Sequence, residues 1–262
     1  MTSHPIKEVV LCADDYALNA PVSQGIVALA VLGRLSATSV MSLSPRWAED
    51  VVALRDVRER LDVGVHLDWT SSFAFEAGLG NGGTEVRLRS ALRLYKQKSI
   101  EDQIERQLDA FETQWQAAPD HIDSHQHVHQ LPVFRHALMN VLMRRYGAHA
   151  HRPWLRVLGV TPLEELAHSH AWPTIGPVLG AYGFNASMDD YARHMQTWLA
   201  SAPADKTALI MCNPAVSTQA DDPLGNTRKR EFAYLAGHDF VQHLVDASVR
   251  VVRGSGKPML PV

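Results

Sequence analysis

From His121 to His129 the chain reads His121-Ile122-Asp123-Ser124-His125-Gln126-His127-Val128-His129, four histidines and an aspartate within nine residues. Continued as a strand, this stretch projects Asp123, His125, His127 and His129 from one face, because strand side chains alternate with period two. Buried polar groups need partners, so such a face suits a metal ion or a solvated catalytic mouth. The plainer reading is an exposed histidine-rich strand end with no chemistry. Two other stretches add candidates. Asp14 and Asp15 follow the apolar run Glu8 to Ala13, and His66 lies near the end of Asp62 to Leu67. One carboxylate and two imidazoles, Asp15, His66 and His125, make a three-ligand set with open positions, as hydrolytic metals require. Donor softness suits zinc, manganese, iron or cobalt, whereas magnesium prefers more oxygen. Asp14, beside a ligated Asp15, would be free to move protons. Adjacent carboxylates on a regular strand point to opposite faces, so service in one site requires the strand to end or bulge there. Taken alone, an Asp pair also suits a turn or helix cap, and a lone strand-end histidine suits a satisfied core position.

The elements that must position these groups are legible as alternating patterns. Continuous apolar runs at 8–13, 37–43, 62–67, 154–158 and 207–212 read as strands buried on both faces, with the histidine stretch as a further strand. Helical spacing is expected over 21–32, 45–61, 99–115, 132–146, 188–199, 227–235 and 240–249. The segment 162–181 reads as helix and loop, 69–99 as a long loop holding the Gly78–Gly83 glycine cluster, and the tail from Gly254 as loop. Strand and helix in alternation imply an α/β fold with a mostly parallel sheet. Asp14, Asp15, His66, His125 and Asn213 then fall at or just past strand C-termini. That is where a (β/α) barrel builds its sites, and an open doubly wound sheet would gather them similarly.

Bulk properties narrow the function. The chain has 262 residues, 46% of them apolar, a size and core that suit one domain spanning 1–262. A net charge of −3 without a long basic run argues against nucleic acid or an anionic membrane as the main partner. No apolar run reaches the length of a membrane span, and residues 1–8 lack a secretion-signal pattern, so a cytoplasmic location is expected. Cys12 and Cys212, each in an apolar run, read as buried free thiols.

Ala13-Asp14-Asp15-Tyr16, Gly64-Val65-His66-Leu67 and the His121–His129 block together resemble the signature blocks of the YdjC-like carbohydrate deacetylases, a family that includes chitooligosaccharide deacetylases and relatives linked to hopanoid biosynthesis. Asp221-Asp222-Pro223-Leu224-Gly225, with Arg228 and Glu231, resembles a further block. The resemblance implies a distorted, TIM-type (β/α) barrel and one divalent metal ion, magnesium or zinc, on Asp15, His66 and His125. It implies Asp14 as base, with His127 as reserve ligand or proton donor. The implied reaction hydrolyses an N-acetyl group on a small amino sugar, and a homodimer is implied as well. One departure bears on the proton supply: Asn213-Pro214-Ala215 stands where relatives carry His-Pro-Gly or His-Pro-Ala. A neutral amide cannot act as general acid. Either His127 or His129 supplies the proton, Asn213 only orients substrate, or activity is reduced. Tyr16-Ala17 replaces the usual Phe-Gly, which concerns the local turn. Trp69, Phe73 and Arg228 could face substrate, the aromatics against a sugar ring and Arg228 against a polar group; packing and a surface charge are their plainer readings. A metal-dependent phosphoesterase and a sugar-binding relative without turnover are the competing functions.

Overall fold

The computed structural model describes residues 5–184 and 186–260. In order, the chain forms β1 (Lys7–Tyr16), α1 (Ala20–Val31), β2 (Ala37–Val40), α2 (Trp47–Asp56), β3 (Asp62–Leu67), α3 (Ser72–Glu76), α4 (Gly83–Ala91), α5 (Gln97–Trp115) and β4 (His121–Ser124). It continues through α6 (Phe134–Tyr146), β5 (Trp154–Arg156), α7 (Pro162–Ser169), β6 (Thr174–Ile175), β7 (Val178–Leu179), α8 (Met188–Ser201), β8 (Ala208–Cys212), α9 (Gly225–Ala236), α10 (His238–Asp246) and β9 (Val249–Val251). The strands pair in the order β6-β5-β4-β3-β2-β1-β8-β7, all parallel, and β9 joins the start of β1. The two edge strands, β6 and β7, are separated in sequence only by Gly176 and Pro177. The edges therefore approach, and the eight strands make a nearly closed barrel surrounded by helices. This is the distorted (β/α) barrel that the family resemblance implies; the alternating pattern by itself also allows an open doubly wound sheet.

Strand alternation sorts side chains into two layers. Val9, Leu11 and Ala13 of β1, Val63, Val65 and Leu67 of β3, and Ile122 of β4 join the large apolar core beneath the helices. Val10 and Cys12 point the other way and pack with Ala37, Trp154, Leu209 and Met211 inside the barrel. Long amphipathic helices close the outer layer. α5 buries Ile100, Ile104, Leu108, Phe111 and Trp115 at helical spacing. Both cysteines are buried free thiols, as expected. Among the described residues, no helix is long and apolar enough to cross a membrane.

Four expectations change. The 69–99 segment is not a bare loop but carries α3 and α4. The 162–181 segment contains, besides α7, the two-residue strands that close the barrel. The last helix stops at Asp246, and Val249 opens a strand that pairs with β1. Most consequential, the histidine stretch is a strand only to Ser124. Residues 125–130 form a tight turn in which Gln126 and His127 take left-handed conformations, φ 54° and 57°. The common face expected for Asp123, His125, His127 and His129 does not exist beyond the strand end.

One glycine is dictated by packing. The His121 ring stacks on Trp154 with centroids 4.2 Å apart, and a Cβ on Gly64 would lie 2.4 Å from that ring. Gly64→Ala should therefore displace His121 and cost about 1–3 kcal/mol. Thermal melting should show a clear drop in Tm; an unchanged Tm would mean that the ring is not confined there.

Candidate active site

β1 delivers both aspartates to one place by breaking its own regularity. Ala13 pairs with Thr38 and Tyr16 with Val40, so three steps on β1 match two on β2. The extra residue is a bulge, and Asp15 within it has φ 68°. Asp14 stays on the barrel interior, while Asp15 turns to the rim. Both line a cavity of about 380 Å³ shared with His66, Ser124, His125, Gln126, His127, Met211, Asn213 and Arg228. Asp14, Asp15, His66, His125, His127, Asn213 and Arg228 are thus brought together. Trp69 is not: it is buried, donates to Gln103 Oε1 (2.8 Å) and meets Phe134 edge-on. Phe73 lies in the adjoining part of the cleft, which also includes Asp15, His125 and Arg228.

Beneath the cavity lies a buried ionic network. The Arg156 guanidinium, fully buried on β5, grips Asp14 with both ends, Nη1 to Oδ2 at 2.8 Å and Nη2 to Oδ1 at 2.5 Å. It also reaches Asp123 Oδ2 at 2.5 Å. Asp123 in turn accepts from Ser39 Oγ (2.6 Å) and holds His66 Nδ1 at 2.6 Å. Burial alone would raise Asp123, yet Arg156 and His66 hold its carboxyl well below the usual range. With Nδ1–H donated to Asp123, His66 turns Nε2 towards Asp15 Oδ1, 3.6 Å away. Burial pulls the His66 ring down, but Asp123 and then Asp14 and Asp15 bring it up to about 9.

Asp15 is prepared from the other side. Arg228 Nη2 donates to Asp15 Oδ2 at 2.7 Å, which leaves Oδ1 for the cavity. Burial opposes its charge, and Arg228, His125 and His66 overcome that, holding it at about 2. Arg228 Nε lies 2.9 Å from Asp222 Oδ2, near enough to pair but misaligned for a hydrogen bond, and Nη1 is buried without a partner. His125 is oriented by Thr70, whose Oγ1 lies 2.6 Å from Nδ1. Thr70 is itself fixed by Asp68, which accepts from its N–H, and Gln107 of α5 braces Asp68 through its backbone.

Asp15 Oδ1 and His66 Nε2 are spaced to share a divalent cation; His125 lines the same cavity but stands farther off, since the three do not each bring a ligand atom within 4.8 Å of the others. Donors sharing such an ion at ~2.0–2.2 Å lie roughly 3–3.5 Å apart, close to the 3.6 Å between Asp15 Oδ1 and His66 Nε2. Each histidine has Nδ1 engaged, leaving Nε2 as the ligand atom. Two tighter groups of potential ligands exist, Asp14–His66–Asp123 and Cys12–His121–Asp123. Neither suits a cation. Arg156 already occupies Asp14 and Asp123, and burial pushes the Cys12 thiol far up, away from the thiolate a metal binds. His127 and His129 also part company. His127 lines the cavity, with its Nδ1 buried and unpartnered; burial and Arg156 hold it down at about 4. His129 turns into the protein, against Ser124 Oγ (2.6 Å) and the Arg156 carbonyl (3.0 Å).

Asn213 follows β8 and turns its backbone N–H to Glu231 Oε2 at 2.5 Å, while Tyr182 donates to Oε1 at 2.5 Å. The sequence reading missed Arg156, Asp123 as a positioning group, Thr70 and Tyr182. Arg156 carried a signal: a lone charge inside the apolar run 154–158 must find a partner if buried.

The pattern of the family described as YdjC-like protein matches residues 8–246. The chain belongs to the YdjC-like family. A carbohydrate deacetylase from Geobacillus stearothermophilus is 27% identical over 254 residues, 93% of this chain and 95% of that protein. A carbohydrate deacetylase from Halalkalibacterium halodurans is 30% identical over 129 residues, and this match spans 47% of the chain and about half, 54%, of the relative. Among solved structures, one from Enterococcus faecalis V583, nominally a cellobiose-phosphate cleavage protein, superposes with a TM-score of 0.74 at 20% identity, covering 95% of this chain and 97% of its own. That likeness shows the YdjC-like chain sharing the barrel fold.

Burial pushes Glu231 up to about 7, above the ordinary glutamate value of 4.5. A raised folded pKa means that the native state holds the extra proton, so this stability is present at acid pH and lost as pH rises through about 7. Glu231→Gln removes the dependence. From about pH 5 to about pH 8, wild type should lose about 2–3 kcal/mol relative to Glu231→Gln in chemical denaturation; parallel curves would contradict the assignment.

Proposed function

We propose that this YdjC-like chain is a divalent-metal-dependent deacetylase that hydrolyses an N-acetyl group on an amino sugar or glycoconjugate and releases acetate. The observation that carries this reading is the convergence of Asp15, His66 and His125 on one cavity, with every atom not facing it already engaged. The carbohydrate deacetylase relative that aligns along 93% of the chain supports the same reaction class. A metal bound there supplies Lewis acidity for the acetamide carbonyl and a more acidic water.

The chain's own residues do the rest. Asp14, held at both oxygens by Arg156, faces the cavity as the base that takes the water proton. His127 lines the same cavity and, held neutral, relays to the departing amine the proton that Asp14 takes from water, the step that Asn213 cannot perform. Asn213 is placed to hydrogen-bond substrate. Phe184, Met211 and Leu224 give the cavity an apolar wall for the acetyl methyl. Arg228 orients Asp15 and, lining the cavity, can also meet a polar substrate group.

Acetate release from N-acetylglucosamine oligomers tests the reading. Chelation should abolish it and zinc or magnesium should restore it, while Asp14→Asn should lower kcat by about 10²–10⁴-fold. No release from any acetylated sugar at full metal occupancy would overturn it in favour of a binding protein. Cleavage of a generic phosphate ester would point to a phosphoesterase.

A further inference from the structure

We propose that the outer surface of residues 86–98 docks on an anionic lipid surface, with the cleft mouth beside it. These thirteen residues carry Arg87, Arg89, Arg93, Lys96 and Lys98; Glu85 and Asp102 at the flanks pair Arg89 and Lys98, which leaves Arg87, Arg93 and Lys96 without an acidic partner among the described residues. Between the basic residues, Leu88, Leu92 and Leu94 are 59%, 60% and 60% exposed. Phe75, on the neighbouring α3, is exposed as well. Leu88 and Leu92 are four residues apart and share a helix face.

The inner side of the strip is fastened, so the exposure is not that of a loose loop. Val86 and Ser90 are buried, Ser90 Oγ donates to the Pro132 carbonyl (2.6 Å), and Tyr95 packs edge-on to Phe134. Arg89 stacks over Tyr95. The strip also abuts the site. Arg87 Nη2 donates to the Gln126 carbonyl at 2.9 Å, and Gln126 lines both parts of the cleft. Among the described residues, Arg93 and Lys96 form no ion pair.

Leucines and basic groups together fit an interface of acyl chains beneath anionic headgroups. A second copy of this chain fits less well, since a two-fold contact would set the same basic strip against itself. Nucleic acid would match the charges but leave the leucines unserved.

The test is sedimentation of the full chain with vesicles, which reads no turnover and is therefore independent of the deacetylase reading. Vesicles of phosphatidylcholine with phosphatidylglycerol should carry the protein down at low salt, and high salt should release it. Phosphatidylcholine alone should not. Arg93→Glu with Lys96→Glu should weaken binding by about tenfold or more. Leu88→Ser with Leu92→Ser and Leu94→Ser should weaken it independently, and melting curves verify that both variants fold. Absence of wild-type binding to anionic vesicles, or equal binding by folded variants, would overturn the proposal. So would light scattering showing dimers that the leucine substitutions dissociate.

Discussion

The site depends on one buried cation that belongs to the protein itself. Arg156 has no exposure to solvent and is shared by Asp14 and Asp123. A guanidinium in that position is tolerable because two carboxylates neutralise it, and it offsets their burial in turn, with His66 sharing that role at Asp123. The arrangement fixes Asp14 and, through Asp123, the tautomer and direction of His66. It also decides where a second cation cannot go. The most compact acidic and histidine clusters are spent on Arg156, and the β1 bulge carries the Asp15 carboxylate outward to the rim.

The same logic explains why the rim residues are so heavily braced. Asp15 is tied by Arg228, His125 by Thr70, and Thr70 by Asp68 and Gln107. Each tether comes from a different element: α9, the loop after β3, and α5. The helices thus do more than cover the barrel; they set the donor directions at its mouth. Arg228 shows how a residue can be anticipated at the site and still serve differently, holding a carboxylate as well as facing the cavity.

Much of this was legible in the sequence where the physics is periodic. Buried parallel strands announce themselves as apolar runs, and polar residues at their ends mark the functional rim. The bulge at Asp14-Asp15 followed from the demand that adjacent carboxylates serve one site. Legibility ended where local conformation broke the period. Nothing in Gln126 or His127 requires a left-handed backbone, yet both adopt it, and His129 is thereby sent into the core. The strands β6 and β7, two residues each, are too short for any alternation to register. Trp69 was an aromatic in a segment read as loop, and only tertiary packing shows it buried against Phe134. Asp123 was visible, but its work in orienting His66 depends on a neighbour 57 residues away.

The central claim is that Asp15, His66 and His125 hold one divalent ion above the Arg156 network. Anomalous diffraction from a crystal soaked in zinc tests it most directly. The account predicts a single peak within bonding distance of Asp15 Oδ1 and the Nε2 atoms of His66 and His125. A peak seated instead among Cys12, His121 and Asp123, or these three side chains too far apart to share the zinc, would contradict it.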